Sequence, residues 1–456
     1  MIVRDLKRVA LLVGPLVVLL LLTASLWHTD TDYLRSRVSS LLTPSTGKTP
    51  APQPASINHR PPTLTSNGTH REIYSVSTAD GKYFEIRFGK NVYNPNVIPH
   101  QHYPNTWYVV GQLWNEPTPA NSPFFEPFRE VKCLAQFIKG ALMCFDFLVN
   151  LPIEPTTGDK CEGDIAHFRL NVGPHDARVF FGPQVPYTVY GSNSGYTCFG
   201  IWIQDFRKLV DWGKEENNNT NNPLPTNTDS DFAVGTEIQR PGQPGPIEKN
   251  YFLFWNSSDA MFAHYDIFPK RAFASLSPDG SAGPDMAAAT AAGDERCLAR
   301  YLPQLPPKLE SFHQATNSLR VTMCNRTDPT CTPDDSNTFI MTVIQHKTFY
   351  NYHAEYEPYV VLFHQRAPYE LYAISKQPLW ISGRQRREGR RTEMFYVTSA
   401  NWKENGLKYH GYLDDVVVLG FGIEDQSSGG IDVLAADLVM DLGQCDEAGD
   451  ENGHES

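Results

Sequence analysis

The sequence predicts an all-β protein whose strands close into a propeller or a large barrel. The chain has 456 residues with 35 Pro, 32 Gly, 25 Phe and 21 Tyr, a composition typical of short strands joined by turns. Short apolar or alternating runs recur from Glu72 onward, for example at 83–88 and 199–203, and few segments have a helical period. Closure is the usual solution to the many exposed edges of such strands.

The N-terminus predicts a membrane anchor. Residues 9–27 form an almost unbroken apolar run, about the minimum length that spans a bilayer. Arg4, Lys7 and Arg8 precede this run, so the positive-inside rule places residues 1–8 in the cytosol and the rest of the chain on the other side of the membrane. The alternative is a cleaved signal peptide. The short span favours the endoplasmic reticulum or the Golgi.

The remaining chain divides by composition into three segments. Residues 28–71 are rich in Pro, Ser and Thr and predict an extended stalk. Residues 72–445 contain all the strand-like runs and predict one luminal catalytic domain, because no internal boundary is visible. Residues 446–456 form an acidic tail.

Two further features agree with a luminal domain. Four Asn-x-Ser/Thr triplets predict N-glycosylation, at Asn67, Asn218, Asn256 and Asn325. All eight cysteines follow the apolar run, and two pairs, Cys133 with Cys144 and Cys324 with Cys331, could close short loops. Structural disulfides or buried thiols are favoured over a metal site, since neither a Cys-x-x-Cys unit nor a His cluster at zinc spacing occurs.

Charge and motifs exclude several classes of function. The formal net charge of −12 argues against nucleic-acid binding. The chain contains no Walker loop, no Gly-rich dinucleotide fingerprint and no Gly-x-Ser-x-Gly elbow, which argues against ATP, nicotinamide and serine-hydrolase chemistry.

Asp176 and Arg178 are the strongest candidates for chemistry. They enter a predicted strand from a Gly-Pro turn, and residues two apart lie on the same side of a strand. The two side chains are therefore expected to face one pocket, where a carboxylate and a planar cation could bind sugar hydroxyls or a phosphate. A structural salt bridge in an ordinary turn is the alternative.

Four segments in order resemble the five-bladed β-propeller carbohydrate-active enzymes that include the β-mannoside phosphorylases and related β-mannosyltransferases. The family has an Asn-Pro segment, a Glu-Asp-Pro-Arg motif, a Lys-Asn strand followed by basic residues, and a late Asp. The corresponding residues here are Asn94-Pro95, His175-Asp176-Ala177-Arg178, Lys249-Asn250 with His264 and Arg271, and Asp414-Asp415. His175 and Ala177 depart from the family motif. The resemblance implies a five-bladed propeller.

The resemblance also implies roles for these residues. Asp176 matches the family's catalytic carboxylate and is expected to act as a general base. The expected substrate-binding residues are Asn94, Arg178, Lys249, Asn250, His264, Arg271, Asp414 and Asp415. Among these, Lys249, His264 and Arg271 would stabilise the charge of a departing phosphate. Ordinary surface or turn positions are the alternative for each.

Together with the anchor, the resemblance predicts a glycosyltransferase that transfers mannose or a similar hexose from a nucleotide sugar to a glycan acceptor. A membrane-anchored enzyme in a compartment supplied with nucleotide sugars is suited to building glycans. The alternatives are a glycoside hydrolase or phosphorylase on the same propeller, and a non-catalytic propeller that binds glycans.

No cofactor is predicted, and a divalent metal stays open. Two Asp-x-Asp spacings of the kind that hold a metal in nucleotide-sugar enzymes occur, at residues 30–32 and 229–231. Neither follows a convincing strand, so a metal-independent enzyme is favoured over one that uses Mn²⁺ or Mg²⁺.

Overall fold

The fold is known from a computed structural model that describes residues 59–114, 127–212, 231–306, 308–386 and 391–446. All of them belong to the compact unit 58–456. In this part of the chain, no helix is long and apolar enough to cross a membrane. The predicted tail at 1–8, the span at 9–27, most of the stalk and the acidic tail beyond Asp446 lie outside the described residues.

The described chain contains twenty-six strands. The first eight are β1 (Thr63–Leu64), β2 (Arg71–Ile73), β3 (Phe84–Arg87), β4 (Val92–Pro99), β5 (Trp107–Leu113), β6 (Glu130–Ile138), β7 (Ala141–Cys144) and β8 (Val149–Asn150). The next seven are β9 (His175–Phe181), β10 (Pro186–Asn193), β11 (Phe199–Asp205), β12 (Thr236–Ile238), β13 (Phe252–Trp255), β14 (Met261–Asp266) and β15 (Ala272–Ser275). The last eleven are β16 (Glu310–His313), β17 (Ser318–Thr322), β18 (Thr338–Tyr350), β19 (His353–His364), β20 (Leu371–Ser375), β21 (Leu379–Ile381), β22 (Phe395–Trp402), β23 (His410–Tyr412), β24 (Val416–Ile423), β25 (Ser427–Leu434) and β26 (Leu442–Gln444).

Helices are short and few in the described ranges. The two α-helices are α1 (Ala291–Tyr301) and α2 (Ala435–Leu438), and the 3₁₀ turns are Gly163–Leu170, Phe206–Lys208 and Ala287–Ala289. The all-β prediction is therefore confirmed.

The strands form sheets in which neighbours along the chain are mostly antiparallel neighbours in space. One sheet has the order β12-β11-β10-β9, and the next has the order β13-β14-β15. A larger sheet contains β17-β18-β19-β20 with β23 and β26 at its two edges. The largest sheet runs β22-β24-β25-β3-β7-β6-β5-β4. This succession of meanders is consistent with the predicted all-β propeller.

Strand β3, near the start of the domain, pairs with one early strand and one late strand. It pairs antiparallel with β25 and parallel with β7. A strand from the start of the domain thereby completes a sheet built from its end, which removes an exposed edge. The strands that open the successive meanders pack against one another: β4 contacts β9 and β22, and β17 contacts β13 and β22.

These opening strands are buried on both faces, which explains their sequences. All four residues of β13 and all eight of β22 are buried. Because sheets cover both faces of each strand, apolar residues are not confined to alternate positions. The polar residues that do occur in these strands, such as Asn94 and Asp176, therefore require a specific explanation.

All eight cysteines form disulfides. The two short pairs that the sequence offered as possible loop closures, Cys133–Cys144 and Cys324–Cys331, both form disulfides. The other two join Cys161 to Cys198 and Cys297 to Cys445. The last pair ties the end of the domain to helix α1.

The predicted glycosylation sites differ in their surroundings. Asn67 and Asn325 are exposed. Asn256 is half-buried, and its Nδ2 donates a hydrogen bond to Tyr369 Oη at 3.3 Å. Asn218 lies outside the described residues. Attachment of a glycan stays a prediction at all four positions.

We expect the Cys297–Cys445 disulfide to stabilise the fold more than Cys324–Cys331, because it closes a sequence separation of 148 residues instead of 7. Chain entropy predicts a loss of about 5 kcal/mol for the Cys297→Ser/Cys445→Ser variant and about 2 kcal/mol for Cys324→Ser/Cys331→Ser. Urea unfolding of both variants measures the difference. Equal losses would contradict the expectation.

Candidate functional site

A small cavity of about 50 Å³, open to solvent, lies where β9, β10 and β11 meet the start of β13. Its lining combines charged, amide and apolar side chains. The lining residues are Asn171, His175, Asp176, Arg178, Val189, Tyr190, Gly191, Phe199, Ile201, Lys249, Asn250 and Tyr251. Four of the residues predicted from the sequence, Asp176, Arg178, Lys249 and Asn250, are thus brought together at one cavity.

The backbone at Asp176 is held in an unusual conformation. Its φ is +49°, in the left-handed region that costs a non-glycine residue energy but that Asp and Asn tolerate best. The pairing of β9 with β10 shifts register at this point. Gln112 Oε1 accepts a hydrogen bond from the Asp176 amide at 2.8 Å, and Glu130 Oε1 accepts one from the Ala177 amide at 2.9 Å. The Asp176 side chain is left exposed at the cavity.

Asn94 supports the Asp176 carboxylate from the neighbouring sheet. Its Nδ2 donates to Asp176 Oδ1 at 2.7 Å, and Asn94 itself is only 4% exposed. Asn94 also has a positive φ, +54°, at a register shift between β4 and β5. Gly422 makes room for it, since a β-carbon there would lie 2.3 Å from Asn94 Oδ1. Asn94, predicted to bind substrate, therefore contacts the predicted catalytic carboxylate directly.

Arg178 lines the same cavity but does not pair with the Asp176 carboxylate. Its Nε donates to the Ala315 carbonyl, and its Nη1 donates to the main-chain carbonyl of Asp176. The guanidinium also lies 5.9 Å from the centre of the Tyr396 ring. The register shift at Asp176 breaks the simple alternation expected from the sequence, so the two side chains share a cavity without forming a salt bridge.

Lys249 and Asn250 form the opposite wall. Lys249 is exposed, and its Nζ lies 5.3 Å and 5.4 Å from the ring centres of Phe168 and Phe199. Asn250 has a φ of +61°, and its Oδ1 accepts a hydrogen bond from Tyr396 Oη at 3.4 Å. Asn94, Asp176 and Asn250, from three separate parts of the chain, thus share the same left-handed backbone.

Several residues near the cavity were not predicted. Asn250 Nδ2 lies 3.4 Å from Nδ1 of His313, and the rings of Tyr356 and Tyr396 are 4.6 Å apart. Asp425, in the turn between β24 and β25, has its pKa raised by burial, by the Asp176 charge and by Glu424. No turn motif in the sequence, such as Asp-Pro or Asn-Gly, marks any of these residues. Only their position in the fold identifies them.

Burial sets the protonation of two groups behind Asp176. Glu130 is 1% exposed, and burial raises its pKa to about 8, partly opposed by the Ala177 amide. It is therefore neutral at pH 7. Burial lowers the pKa of His175 to about 4, so this imidazole is also neutral. A neutral Glu130 avoids a buried negative charge close to the Asp176 carboxylate.

His264 and Arg271 do not line the cavity, in contrast to their predicted role. Both are almost completely buried, at 0% and 3% exposure. Arg271 Nη1 pairs with Asp294 at 2.9 Å and its Nε lies 3.3 Å from His264 Nε2. His264 stacks between Phe252 and Phe273. These residues hold the interior of the β13-β14-β15 sheet, where no substrate phosphate could reach them.

Asp414 and Asp415 also lie apart from the cavity. Asp414 accepts hydrogen bonds from the amides of Arg326 and Thr327 at 2.6 Å and 3.1 Å. Asp415 pairs with the Arg326 guanidinium at 2.6 Å and accepts a bond from the Tyr412 amide. The late acidic pair therefore anchors a loop, and Asp425 is the late carboxylate that approaches Asp176.

The possible metal site at 229–231 lies partly outside the described residues, and the one at 30–32 lies wholly outside them. Within the described ranges, no group of three or more His, Cys, Asp or Glu side chains is arranged to hold a metal ion.

The chain is similar to known proteins at the level of three-dimensional structure. Neither a family model nor a curated protein matches the chain. The β-1,2-mannobiose phosphorylase from Listeria innocua, solved with β-1,2-mannobiose, is similar with 12% identity and a TM-score of 0.39, over 76% of this chain and 91% of that one. A glycosyl hydrolase from Bacteroides ovatus has 8% identity and a TM-score of 0.39, over 82% and 96%. An endo-arabinase from Bacteroides thetaiotaomicron has 9% identity and a TM-score of 0.34, over 77% and 96%.

The prediction of a nucleotide-sugar glycosyltransferase is wrong on this comparison. The three similar structures named above are two glycoside hydrolases and a phosphorylase, which fits the alternative better. A likeness this distant assigns no reaction to the chain, so the residues of the cavity must support any function proposed for it.

The Glu130→Gln variant should become more stable relative to wild type as the pH rises. The folded protein keeps the Glu130 proton up to a pKa of about 8, whereas an unperturbed glutamate releases it near 4.5. Wild type therefore loses stability between these pH values, and the variant, which has no proton to lose there, does not. Urea unfolding at pH 5 and pH 8 tests this, with the exposed Glu85→Gln as the control. A difference that does not change with pH would contradict it.

Arg271→Met should destabilise the fold without changing the cavity. The substitution leaves Asp294 buried without its cation, which costs about 3–5 kcal/mol. The double variant Arg271→Met/Asp294→Asn, which removes the unpaired charge, should recover part of the loss. Lys249→Met should instead leave the free energy of unfolding nearly unchanged. Chemical unfolding distinguishes the two positions, and a stable Arg271→Met protein would contradict the structural role.

Proposed function

We propose that the protein cleaves glycosidic bonds, as a glycoside hydrolase or phosphorylase, with Asp176 as the catalytic carboxylate. The observation that carries the proposal is the exposed Asp176 side chain at a cavity, oriented by Asn94 and by two side chains that bind the adjacent amides. Holding a carboxylate in a costly backbone conformation is typical of a functional position. No ion pair occupies Asp176 within the described residues.

The surroundings supply the other groups that such a reaction needs. A hydrolase uses one carboxylate to activate water and a second carboxyl to protonate the leaving oxygen. Asp425, whose pKa is raised by burial and by the nearby Asp176 charge, is the candidate acid, and Asp176 is the candidate base. Asn250 lines the cavity and is placed to bind a sugar hydroxyl, and Tyr190 and Tyr251 add apolar surface.

Phosphorolysis is the second candidate because two cations line the same cavity. Arg178 and Lys249 border it, and in the described chain Lys249 makes no ion pair. A phosphate held by these cations could attack the anomeric carbon without a general base. Asp176 would then act as the acid that protonates the leaving oxygen, and Asp425 would be dispensable.

We propose a five-bladed propeller and a secretory location for this enzyme. Five opening strands, β4, β9, β13, β17 and β22, support the blade count. Four disulfides support an oxidising compartment, and the apolar run at 9–27 supports a membrane anchor there.

Asp176→Asn should lower turnover by about 10²–10⁴-fold, because it removes the carboxylate but keeps its shape. The full-length protein is assayed on mannobiose and on aryl mannosides and arabinosides, with and without inorganic phosphate, and products are identified by NMR. The exposed Asp279→Asn is the matched control. Phosphate-dependent release of a sugar phosphate identifies a phosphorylase, and phosphate-independent release a hydrolase.

Two results would contradict the proposal. Full activity in Asp176→Asn would exclude the assigned carboxylate. Sugar binding by wild type without turnover of any substrate would favour a non-catalytic glycan-binding protein.

A further inference from the structure

The hairpin of β18 and β19 extends beyond the sheet to which it belongs. These strands pair from Phe339 with His364 to Tyr350 with His353, and they are the longest described. Their sheet ends are buried, whereas the last two residues of β18 are exposed. Apart from β19, only the short strand β16 is described as pairing with this outer part of β18.

The tip of the hairpin exposes aromatic side chains. Tyr352 is 98% exposed, Tyr350 is 45% exposed and Phe349 is 39% exposed. Burial in the fold therefore does not explain these residues. We call the three residues the aromatic tip.

The turn makes the tyrosine at position 352 still harder to explain structurally. Asn351 and Tyr352 both have a positive φ, +52° and +59°. A two-residue hairpin turn of this kind strongly favours Gly at its second position. Tyr352 instead costs about 1 kcal/mol or more of backbone strain. A strained aromatic that packs against nothing points to a binding role.

The hairpin also contributes to the neighbourhood of the candidate site. Lys347 Nζ lies 5.7 Å from the ring centres of both Phe349 and Tyr356. The Tyr356 ring contacts Tyr396, whose hydroxyl donates to Asn250 at the cavity. A series of contacts through Lys347, Tyr356 and Tyr396 thus links Phe349 of the tip to Asn250 at the cavity. Tyr352 and Tyr356 are four residues apart, about 13 Å along the strand.

One tip residue is already held in position. Tyr350 Oη donates to Glu310 Oε1 at 2.5 Å, and His346 Nε2 lies 2.7 Å from the other Glu310 oxygen. This network fixes the ring while leaving nearly half of the residue exposed. A preformed aromatic surface loses little conformational freedom when a ligand binds.

We propose that the aromatic tip is a distal binding site for the far end of an oligosaccharide whose reacting end lies in the cavity. This inference rests on the proposed function and specifies its substrate class: a neutral glycan chain several sugars long. The apolar faces of its sugar rings would stack on the tip, and its hydroxyls would follow the polar groups along the hairpin.

The test measures binding as a function of chain length. Hexasaccharides of mannose, xylose, arabinose and glucose, with the corresponding disaccharides, are titrated into the full-length Asp176→Asn protein by calorimetry. At least one hexasaccharide should bind more tightly than its disaccharide. Adding Tyr352→Ala should weaken that hexasaccharide about tenfold, the effect of one lost stacking interaction of about 1.4 kcal/mol, without affecting the disaccharide.

Phe147→Ala is the matched control, because Phe147 is 82% exposed but lies between β7 and β8 of another sheet. It should bind both ligands as the parent protein does. Unchanged unfolding of Tyr352→Ala excludes a folding defect.

Three outcomes would overturn the inference: equal binding of short and long chains, equal weakening of both by Tyr352→Ala, or Tyr352-dependent binding of phosphatidylcholine vesicles in place of glycans. The proposed function fails separately, if wild type turns over no substrate while its chain-length-dependent binding persists.

Discussion

The candidate site depends on left-handed backbone at the start of buried strands. This conformation recurs in the structure, and it allows Asn94 to form its hydrogen bond with Asp176. Asn94, Asp176 and Asn250 all have φ values between +49° and +61°. In β4 and β9 the conformation coincides with a register shift, which turns one side chain out of the alternating pattern of the sheet. Polar groups can therefore leave strands that are otherwise fully buried and meet at a common cavity.

Such a conformation persists only if the surrounding structure compensates for its cost. Gln112 and Glu130 do so from strands β5 and β6, by accepting hydrogen bonds from two successive amides. Glu130 can remain buried there because its raised pKa keeps it neutral at pH 7. The support for Asp176 thus comes from side chains that do not line the cavity.

The contrast with Arg271 shows that residue type does not define a site. Arg271, His264 and Asp294 form a connected polar cluster, as Asp176, Arg178 and Asn94 do. However, the first cluster is enclosed by Phe252 and Phe273, and its partners are all internal. The second cluster borders a cavity and leaves a carboxylate exposed. The two polar clusters differ in their access to solvent, and this access results from the packing of whole sheets. It distinguishes a structural network from a candidate catalytic one.

The sequence by itself predicted the all-β class, offered two short cysteine pairs as possible disulfides and made Asp176 the leading candidate, because these depend on local composition, short loops and a distinctive turn. It also placed Asn94, Arg178, Lys249 and Asn250 among the candidates. Only the tertiary structure showed that the late carboxylate near Asp176 is Asp425, and not Asp414 or Asp415. Only the tertiary structure showed that Glu130 and Gln112 support the backbone at Asp176. It also decided that Arg178 binds a main-chain carbonyl and not the nearby carboxylate. These contacts join strands far apart in the chain, and a register shift of one residue changes which side chains meet, so no local pattern could specify them.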